Sequence, residues 1–559
     1  MKISKYLPFA VITLVVLSIS SFLFIKKFNT YAQSSVTKTF TTTVTVGNSA
    51  PQITVAPAEN PISSTSTPTS PGTAISFSAT ATDSNGENYY LVICSSDSVT
   101  PGTSGGAPTC GGTQYCVSSS TASGDIASCS YATKATDPYT NEWFAFVCDA
   151  NTTLSACSGS SQGSGDSGSP FIVNHAPTFT AISNNSPRDP GTSVTWTATA
   201  SDTTDGNTVK LLVCKTQAMA DGVCTGGSWC TSSSVASNPT CSYSIPVPTA
   251  DGANNAYVYI VDQFNTAATG TTQGSNSPFT VNNVAPTVSN VTLNGGSAIN
   301  LEAGTTKSVP VTATITDNNG CTSPEISSAV AYVYRSAITY TGCDTSGEGD
   351  PNYCYPEIAC SAGTCSGTNV TYTCSVPMQY YADPTDANNV ATSFATQNWL
   401  ATVKATDNNN ASGNTTIGTG VEVNSLAAFN ITSAIDYGNL GAGETSSSLD
   451  KEVRTTPTGN VPLDQTHLGS QMCTNYPTCT GGTPIAVNRQ RYSLTQGASY
   501  SSGTALSATA TDVNLNVPKV TSSTVATRST WWGISIDLGT LPGVYNGVNT
   551  ITSKIVTTP

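Results

Sequence analysis

Three segments of this 559-residue chain open and close with the same short phrases. The openings are Ala50-Pro51, His175-Ala176-Pro177 and Val284-Ala285-Pro286, and the closings are Phe171–Asn174, Phe279–Asn282 and Val421–Asn424. Repetition of this kind is typical of tandem structural units, and the chain is too long for one core. We therefore predict domains at 50–174, 175–283 and 284–424, after a linker or orphan strand at 33–49. Residues 425–559 lack the phrases and are predicted to form a divergent β-sandwich.

Within each segment, apolar and polar residues alternate, which predicts half-buried β-strands. The alternation is clearest at 71–83, 190–202 and 303–317, further strands are predicted at 89–94, 209–214 and 329–334, and late strands at 143–149, 257–262 and 400–407. Short strands between turns, without helical periodicity, favour all-β Greek-key sandwiches over barrels or propellers. In the last segment, strands and turns are predicted at 435–444 and 532–545.

The N-terminal 32 residues have the order of an export signal. Lys2 and Lys5 precede an apolar run at 7–25, and Ala32 offers a small-residue cleavage site. The run predicts one hydrophobic helix that is long enough to cross a bilayer, so an uncleaved anchor is the alternative to cleavage. Under either alternative the rest of the chain is exported. We predict an extracellular or cell-surface location, with membrane contact only through residues 7–25 if they are retained.

Charge and composition exclude one class of partner. Only 9% of the residues are charged, and the net charge is -14. Nucleic-acid binding needs clustered Lys and Arg to neutralise phosphates, so we predict no nucleic-acid partner. The negative charge also removes the usual attraction to anionic lipids.

Eighteen cysteines in an exported chain predict disulfides, because an oxidising compartment keeps thiols paired. Cys148 and Cys157 occur in the first segment and are missing together in the second, so we predict that they bond to each other. The cysteines shared by the two segments are Cys94, Cys110, Cys116 and Cys129, and Cys214, Cys224, Cys230 and Cys241. Each set admits three connectivities, and we favour sequential pairing because it closes short local loops.

The third segment has a different set of cysteines: Cys321, Cys343, Cys354, Cys360, Cys365 and Cys374. Of these, only Cys374 clearly matches Cys129 and Cys241. Cys473 and Cys479 are predicted to close a local loop in the last segment. Zinc is the alternative for the recurring Cys-x5-Cys spacing, but it needs two further ligands and a protected site, so export favours disulfides.

Each repeat places one aspartate at the end of its alternating strand and another at the end of its late strand. The first group is Asp83, Asp202 and Asp317, and the second is Asp149, Asp262 and Asp407. These strand ends share one pole of an immunoglobulin topology, where carboxylates and the nearby Asn48, Asn174 and Asn282 could hold calcium. Turn closure through backbone N–H groups is the simpler interpretation. No cofactor other than this calcium is predicted.

Two further features each have two interpretations. The alternation at Phe40–Asn48 looks like a closing strand without a domain in front of it. It is either a spacer or an early strand of the first domain, or a donor strand that completes a sandwich in another subunit. Trp531 and Trp532 are adjacent in a predicted strand, so one of them should face outward and could bind a sugar or a partner, unless a loop covers it.

A serine-protease motif is imitated at Gly165–Pro170, but the general base that such enzymes need is missing. The chain has only His175 and His467, and both follow Ser167. The segment also aligns with an ordinary loop at 274–278. We therefore predict no catalytic residues and no enzymatic activity.

The repeat phrasing and strand pattern over residues 50–424 resemble the immunoglobulin-like and fibronectin-III-like repeats of bacterial adhesins and surface-layer proteins. The resemblance implies spacing, adhesion or assembly, and it carries no catalytic residues across. Our first hypothesis is a non-catalytic cell-surface structural protein, a disulfide-stabilised rod for envelope or surface-array assembly. The alternative is an adhesin or glycan-binding or protein-binding stalk, and a third is a secreted hydrolase with accessory modules. The predicted partners are other copies of the chain, surface proteins or glycans.

Overall fold

The computed structural model describes residues 37–344, 349–386 and 394–556. Nearly all regular structure in these residues is β-strand, and α1, Tyr340–Asp344, is the only α-helix among them. Short 3₁₀ turns lie at Thr103–Gly105, Gly165–Ser167, Asn294–Gly296, Val487–Arg489 and Tyr500–Ser502. The hydrophobic helix predicted at 7–25 and the cleavage site after Ala32 lie outside the described residues.

The first segment builds two small sheets from short strands. Its strands are β1 (Gln52–Asn60), β2 (Ala74–Thr82), β3 (Tyr89–Cys94), β4 (Val99–Thr100), β5 (Thr109–Cys110), β6 (Gln114–Val117), β7 (Ile126–Ala132), β8 (Thr140–Asn141), β9 (Phe144–Asp149) and β10 (Phe171–Ile172). One sheet has the order β1-β2-β7 and the other β6-β3-β9. The alternation in β2 buries Ile75, Phe77 and Ala79 and leaves the intervening residues half-exposed, as period two requires.

The second segment repeats this arrangement. Its strands are β11 (Thr178–Asn184), β12 (Ser193–Ser201), β13 (Val209–Cys214), β14 (Met219–Ala220), β15 (Val223–Cys224), β16 (Ser228–Thr231), β17 (Thr240–Ser244), β18 (Gly252–Asn254), β19 (Tyr257–Asp262) and β20 (Phe279–Val281). The two main sheets have the orders β11-β12-β17 and β16-β13-β19, and β18 pairs with β20.

In the third segment, the strands join into one continuous sheet. They are β21 (Thr287–Leu293), β22 (Thr306–Thr316), β23 (Ile326–Arg335), β24 (Cys354–Ala362), β25 (Asn369–Gln379), β26 (Trp399–Asp407) and β27 (Ser412–Thr416). Their order is β21-β22-β25-β24-β23-β26-β27. Because β24 pairs with both β23 and β25, it connects the two halves that are separate sheets in the earlier segments.

The last segment has a different strand pattern. Its strands are β28 (Phe429–Ile431), β29 (Ser448–Leu449), β30 (Lys451–Pro457), β31 (Leu463–Gly469), β32 (Gln490–Ser493), β33 (Ala498–Ser499), β34 (Thr504–Ala505), β35 (Thr511–Val517), β36 (Arg528–Ile534) and β37 (Asn549–Ile555). One sheet has the order β28-β30-β36-β32-β34, and the other β35-β31-β37. Antiparallel sheets in these orders are immunoglobulin-like sandwiches, so the predicted all-β fold class is confirmed for the described residues.

One strand prediction is wrong, because residues 435–444 contain no strand. At 532–545 the structure has the predicted strand and turns, since β36 ends at Ile534 and turns follow it. Gly438, Gly443 and Gly539 have positive φ angles of 75°, 89° and 84°, a conformation that interrupts an extended strand. The alternating side chains at these positions therefore belong to turns.

The described residues contain nine disulfides. They are Cys94–Cys110, Cys116–Cys129, Cys148–Cys157, Cys214–Cys224, Cys230–Cys241, Cys321–Cys365, Cys343–Cys354, Cys360–Cys374 and Cys473–Cys479. In the first two segments the pairing is sequential. Cys116–Cys129 and Cys230–Cys241 join edge strands of the two sheets, whereas Cys360 and Cys374 face each other within one sheet.

The chain separates into two compact units. Among the described residues, 37–63, 74–131 and 142–171 form the first, and 64–73, 132–141 and those from 172 onward form the second. The four domain boundaries that we predict from the repeats remain predictions. No helix among the described residues is long and apolar enough to cross a membrane.

Candidate metal site at the strand ends

An acidic cluster lies where two strands of the first segment end. Asp83 directly follows β2, Asp149 is the last residue of β9, and Glu87 lies in the loop that leads to β3. Asp83 is 7% exposed and Asp149 is fully buried. One carboxylate oxygen from each of Asp83, Glu87 and Asp149 lies within 4.8 Å of the other two. The two sheets thus bring together side chains that are far apart in the sequence.

Hydrogen bonds hold Asp83 and Asp149 in place. Oδ1 of Asp83 accepts a bond of 2.6 Å from the backbone N–H of Asn85, which closes the turn after β2. Asp149 accepts backbone bonds of 3.1 Å from Asn151 and from Ala156, so it organises the loop after β9. Both aspartates therefore close turns through backbone N–H groups, as the simpler interpretation predicts. At Asp83 these bonds use only one carboxylate oxygen.

Two more side chains complete the cluster. Nδ2 of Asn48 donates to Oδ2 of Asp149 at 2.6 Å, and Nδ2 of Asn151 donates to Oε1 of Glu87 at 2.7 Å. Both amides therefore use their N–H groups on carboxylates. The carbonyl oxygen of the Asn48 side chain, Oδ1, is left without a hydrogen-bond partner.

Three oxygens of this cluster are buried and accept no hydrogen bond: Oδ1 of Asn48, Oδ2 of Asp83 and Oε2 of Glu87. Burial of an unpaired polar group costs roughly 1–3 kcal/mol, and more when the group is charged. A cavity of about 190 Å³ is lined in part by Asn48, Glu87 and Asn151. Buried, unpaired oxygens in a cluster that reaches a polar cavity form an environment that a cation would stabilise.

The donor set fits a hard divalent cation. Calcium takes six to eight oxygen ligands at about 2.3–2.6 Å, so two oxygens on the same ion are at most about 5 Å apart. The 4.8 Å separation of the three carboxylates is within this limit. Asp83, Glu87, Asp149 and the amide oxygen of Asn48 could hold such an ion, with backbone oxygens or water supplying the remaining ligands.

The equivalent cluster of the second segment is largely satisfied by its own hydrogen bonds. Asn174 donates from Nδ2 to Asp262 at 2.5 Å, but its Oδ1 accepts 2.7 Å from Asn207. His175 contacts Oδ1 of Asp205 through Nδ1 at 2.7 Å. The amide of Asn207 and the ring of His175 therefore occupy acceptors that would otherwise face a cation.

Asp202 is the exception in this second cluster. It is 4% exposed, and its Oδ2 has no hydrogen-bond partner. Burial, together with the negative charges of Asp205 and Asp262, raises the pKa of Asp202 to about 6. A proton on Asp202 is one way to reduce the cost of burying this charge.

The third segment has a cluster closer to the first. Asn283, rather than the predicted Asn282, donates to Oδ2 of Asp407 at 2.8 Å. Oxygens of Asn283, Asp317 and Glu325 are buried without a partner. Burial raises the pKa of Asp317 and of Glu325, and the charge of Asp407 adds to both effects.

The structure brings together each predicted pair: Asp83 with Asp149 through their ligand atoms, and Asp202 with Asp262 and Asp317 with Asp407 through their charges. Sequence reasoning missed Glu87, Asp205 and Glu325. The sequence does contain an acidic residue in the loop after the first aspartate of each repeat, and this could have indicated these three residues. Its distance from that aspartate differs from one repeat to the next. Whether any of these residues binds calcium remains a proposal.

The other candidate residues lie elsewhere. Trp532 is fully buried and stacks on His467 with ring centroids 5.5 Å apart, while Trp531 is half-buried on the opposite side of β36. Burial lowers the pKa of His467 to about 4, so this histidine is neutral near pH 7. Trp532 belongs to the core, and Trp531 retains the predicted role of a surface contact only as a hypothesis.

No protein-family model and no curated protein matches this sequence. Among solved structures, it is similar to a tetra-tandem repeat from the extending region of a large adhesion protein, with 10% identity, coverage of 86% of this chain and 96% of that chain, and a TM-score of 0.30. It is also similar to the D1–D4 ectodomain fragment of ICAM-5, with 12% identity, coverage of 87% and 96%, and a TM-score of 0.26.

The ectodomain of mouse nectin-like molecule 4 is a third similar structure, with 10% identity, coverage of 64% of this chain and 96% of that chain, and a TM-score of 0.26. At these TM-scores the superpositions carry no functional argument.

Proposed function

We propose that this chain is a non-catalytic structural protein of a cell surface, a disulfide-stabilised rod of immunoglobulin-like domains, and that calcium strengthens it at the Asp83 cluster. The carrying observation is the set of three buried, unpaired oxygens on Asn48, Asp83 and Glu87. Such a set is costly without a cation and favourable with one. A cation bound there would tie the ends of β2 and β9 to the segment that precedes β1.

The disulfides support the extracellular part of this proposal. All cysteines of the described residues are paired, and disulfides persist in oxidising compartments. Most close loops of 9 to 16 residues, and each such loop stabilises by roughly 2–4 kcal/mol. This reinforcement suits thin cores with few charged residues.

Calorimetric titration of calcium into the purified chain tests the metal part. We expect saturable binding, with a site that is lost or weakened in the Asp83→Asn variant. The matched control is Asp202→Asn, which changes the equivalent residue of the hydrogen-bonded second cluster and should leave the binding unchanged. Absence of binding by the unmodified chain at millimolar calcium would contradict a calcium role.

Imaging tests the structural part. Electron cryotomography of the source cells, with a tag at the C-terminus of the chain, should show a regular array or filament at the envelope. Its loss on treatment with a chelator would link the array to the acidic clusters. Isolated projections with the tag outward would instead favour the alternative of an adhesive stalk.

A further inference from the structure

The segment that closes each repeat fills a specific place in its sandwich. Phe279 and Val281 of β20 are each 1% exposed, and Val421 and Val423 of the third segment are 4% and 0% exposed. Phe279 packs edge-on against Trp196, with ring centroids 5.5 Å apart. Two apolar side chains at alternate positions thus enter the core of each repeat.

The neighbours of this closing segment are also equivalent. Val423 forms a parallel β-bridge with Ile299, which follows the first strand of the third segment. Val421 forms an antiparallel β-bridge with Trp399 at the start of β26. In the second segment, Val281 lies parallel to Arg188. The closing segment therefore runs between the chain that follows the first strand and the beginning of the late strand.

The last segment lacks an occupant at this place among the described residues. Its late strand, β37, pairs with β31 from Leu463↔Ile555 to Gly469↔Asn549, and no described strand pairs with its other edge. None of the seven residues of β37 is fully buried. An edge strand with free N–H and C=O groups is a template for pairing with another chain.

A cavity of about 200 Å³ lies beside this free edge. One wall is the end of β28 and the chain that follows it, from Ile431 to Tyr437, and the other is the chain before β37 and the start of that strand, from Gly547 to Ile551. Val453 and Trp532 also line it. We call this cavity the acceptor groove. Its two walls are the same two elements between which the closing segment runs in the repeats.

The acceptor groove also has exposed apolar residues at its walls. Ile431 is 37% exposed and Val548 is 52% exposed. The buried residues around Trp532 and those around Leu463 form separate clusters in this segment, whereas the main cluster of the third segment extends without a break from Val288 to Val423. An added strand would cover this apolar surface.

The described chain contains a matching strand that has no sheet. Residues 37–47 are exposed and belong to no strand, and Phe40, Val44 and Val46 are 85%, 87% and 77% exposed. Phe40, Thr42, Val44 and Val46 would share one face of an extended strand. Val44 and Val46 are thus exposed, whereas the apolar residues at alternate positions of the closing segments in the repeats are buried.

We take the register of this segment from comparison of Asn48 with Asn283, whose side chains make equivalent bonds. Asn48 donates to Asp149 at 2.6 Å as Asn283 donates to Asp407 at 2.8 Å. Counting back from these asparagines aligns Val46 with Val281, and Val44 with Phe279. Residues 40–46 are therefore, by position, a closing strand separated from a sandwich.

We propose that residues 40–46 of one copy of the chain add to the free edge of β37 in a second copy and place Val44 and Val46 in the acceptor groove. Main-chain hydrogen bonds to β37 would supply affinity, and the two valines would supply specificity. This inference deepens the proposed structural function, on which it rests, by naming the contact through which copies would assemble.

A labelled peptide of residues 37–48 tests the contact directly. The receptor is a chain that begins at Asn48, because residues 37–47 are exposed and belong to no sheet, so their removal leaves the described cores intact. We expect saturable binding by fluorescence anisotropy. A Val44→Asp and Val46→Asp peptide should bind at least about tenfold more weakly, since each buried valine contributes a tenfold factor or more. The matched control carries Thr43→Asp and Thr45→Asp, which adds the same charge to the opposite face and should retain binding.

The receptor side has its own matched pair. Ala434 is exposed and lines the acceptor groove, so Ala434→Trp should block the peptide, whereas Ala510→Trp, an exposed alanine that does not line the groove, should not. Equal binding by both receptor variants would overturn the assignment of the groove. Equal binding by the two aspartate peptides would overturn the role of the valines.

Disulfide trapping distinguishes a second copy from the same chain. One preparation carries Val44→Cys and another carries Val548→Cys, and oxidation of the mixture should yield covalent heterodimers, with far fewer when Thr43→Cys replaces Val44→Cys. Monomers as the sole product, with an internal bond in a chain that carries both cysteines, would overturn assembly between copies. The peptide and trapping results do not depend on location in the cell, so failure of the surface array with retained peptide binding would overturn the proposed function alone.

Discussion

The Asp83 and Asp202 clusters occupy the same position in successive repeats but differ in how their oxygens are satisfied. At the first, Asn48, Asp83 and Glu87 each keep a buried oxygen without a partner. At the second, Asn207 donates to the carbonyl oxygen of Asn174, and His175 binds Asp205. The backbone positions of the strand-end aspartates are shared, so the loop residues decide whether the cluster presents free oxygens or a closed hydrogen-bond network.

The two clusters therefore solve the same electrostatic problem in different ways. Buried carboxylates need a cation, a donor or a proton. We expect calcium to serve the first cluster, while amide and imidazole donors, together with the raised pKa of Asp202, serve the second. The predictions below change one cluster and use the other as reference.

The largest effect is expected from calcium and Asp83. Calcium at 100 times its dissociation constant should raise the free energy of unfolding of the first segment by about 2.7 kcal/mol. Asp83→Asn should reduce this gain by about 1.3 kcal/mol or more, because the lost charge lowers calcium affinity by at least about tenfold. Thermal unfolding with and without calcium measures this change in stability, and hydrogen exchange of amides in the first segment assigns it to that segment.

The same variant separates a metal role from a turn role. Asparagine closes the same turn as aspartate, so without calcium Asp83→Asn should be as stable as the unmodified chain or more stable. A variant that is equally destabilised with and without calcium would show that Asp83 acts only through the turn.

The second effect concerns the loop that carries the partners of Asp149. Cys148 and Cys157 face each other in the first repeat, where the second repeat has Val261 opposite Ala267. The double variant Cys148→Val and Cys157→Ala copies the second repeat. We expect a loss of about 2–3 kcal/mol in the free energy of unfolding, as for closure of a short loop.

This double variant should also weaken calcium binding, because Asn151 and Ala156 in the loop donate to Asp149. Denaturant unfolding and calcium titration measure the two effects. The reciprocal variant, Val261→Cys and Ala267→Cys, places a disulfide at the equivalent position of the second repeat and serves as the control. Unchanged stability of the double variant would show that the loop is held by its hydrogen bonds alone.

The smallest effect is the pH dependence of the second cluster. The pKa of Asp202 is about 6 in the folded chain and near 3.8 in the unfolded chain, so the folded state holds this proton more tightly. Its stabilising contribution is complete below about pH 4 and is lost as the pH rises through about 6. The change should be about 1–3 kcal/mol.

Asp202→Asn should remove this slope and raise stability above pH 7. Hydrogen exchange of amides near β12, measured between pH 4 and 8, reports it. The reference is Asp262→Asn, which should disturb folding instead, because Oδ2 of Asp262 accepts from Nδ2 of Asn174 and an amide NH2 group there would place two donors against each other. A slope that persists in Asp202→Asn would assign the titration to another group.

Much of the fold could be predicted from local patterns. The alternation at 71–83 and 190–202 corresponds to β2 and β12, because period two is a property of the extended chain itself. The sequential disulfides of the first two segments follow from short loops. The third segment could not be predicted in this way, since Cys321 bonds to Cys365 across 44 residues and depends on the path of the whole sheet.

The candidate site was predictable only in part. Strand-end aspartates such as Asp83 and Asp149 follow from repeat alignment, whereas Glu87 and Glu325 lie in loops of different length and have no fixed spacing. The strand predicted at 435–444 is wrong because Gly438 and Gly443 adopt positive φ angles there. Loop conformation depends on tertiary contacts, which local sequence patterns do not specify.

The amino-acid sequence by itself determined the repeats, the β class and the cysteine pairs that close short loops, because these depend on residues close together in the chain. Only the tertiary structure decided which oxygens at the strand ends stay unpaired and which edge of β37 stays free. Both depend on side chains and strands brought together across more than 60 residues. Local patterns carry no information about such contacts, because hydrogen bonding is settled by geometry in three dimensions.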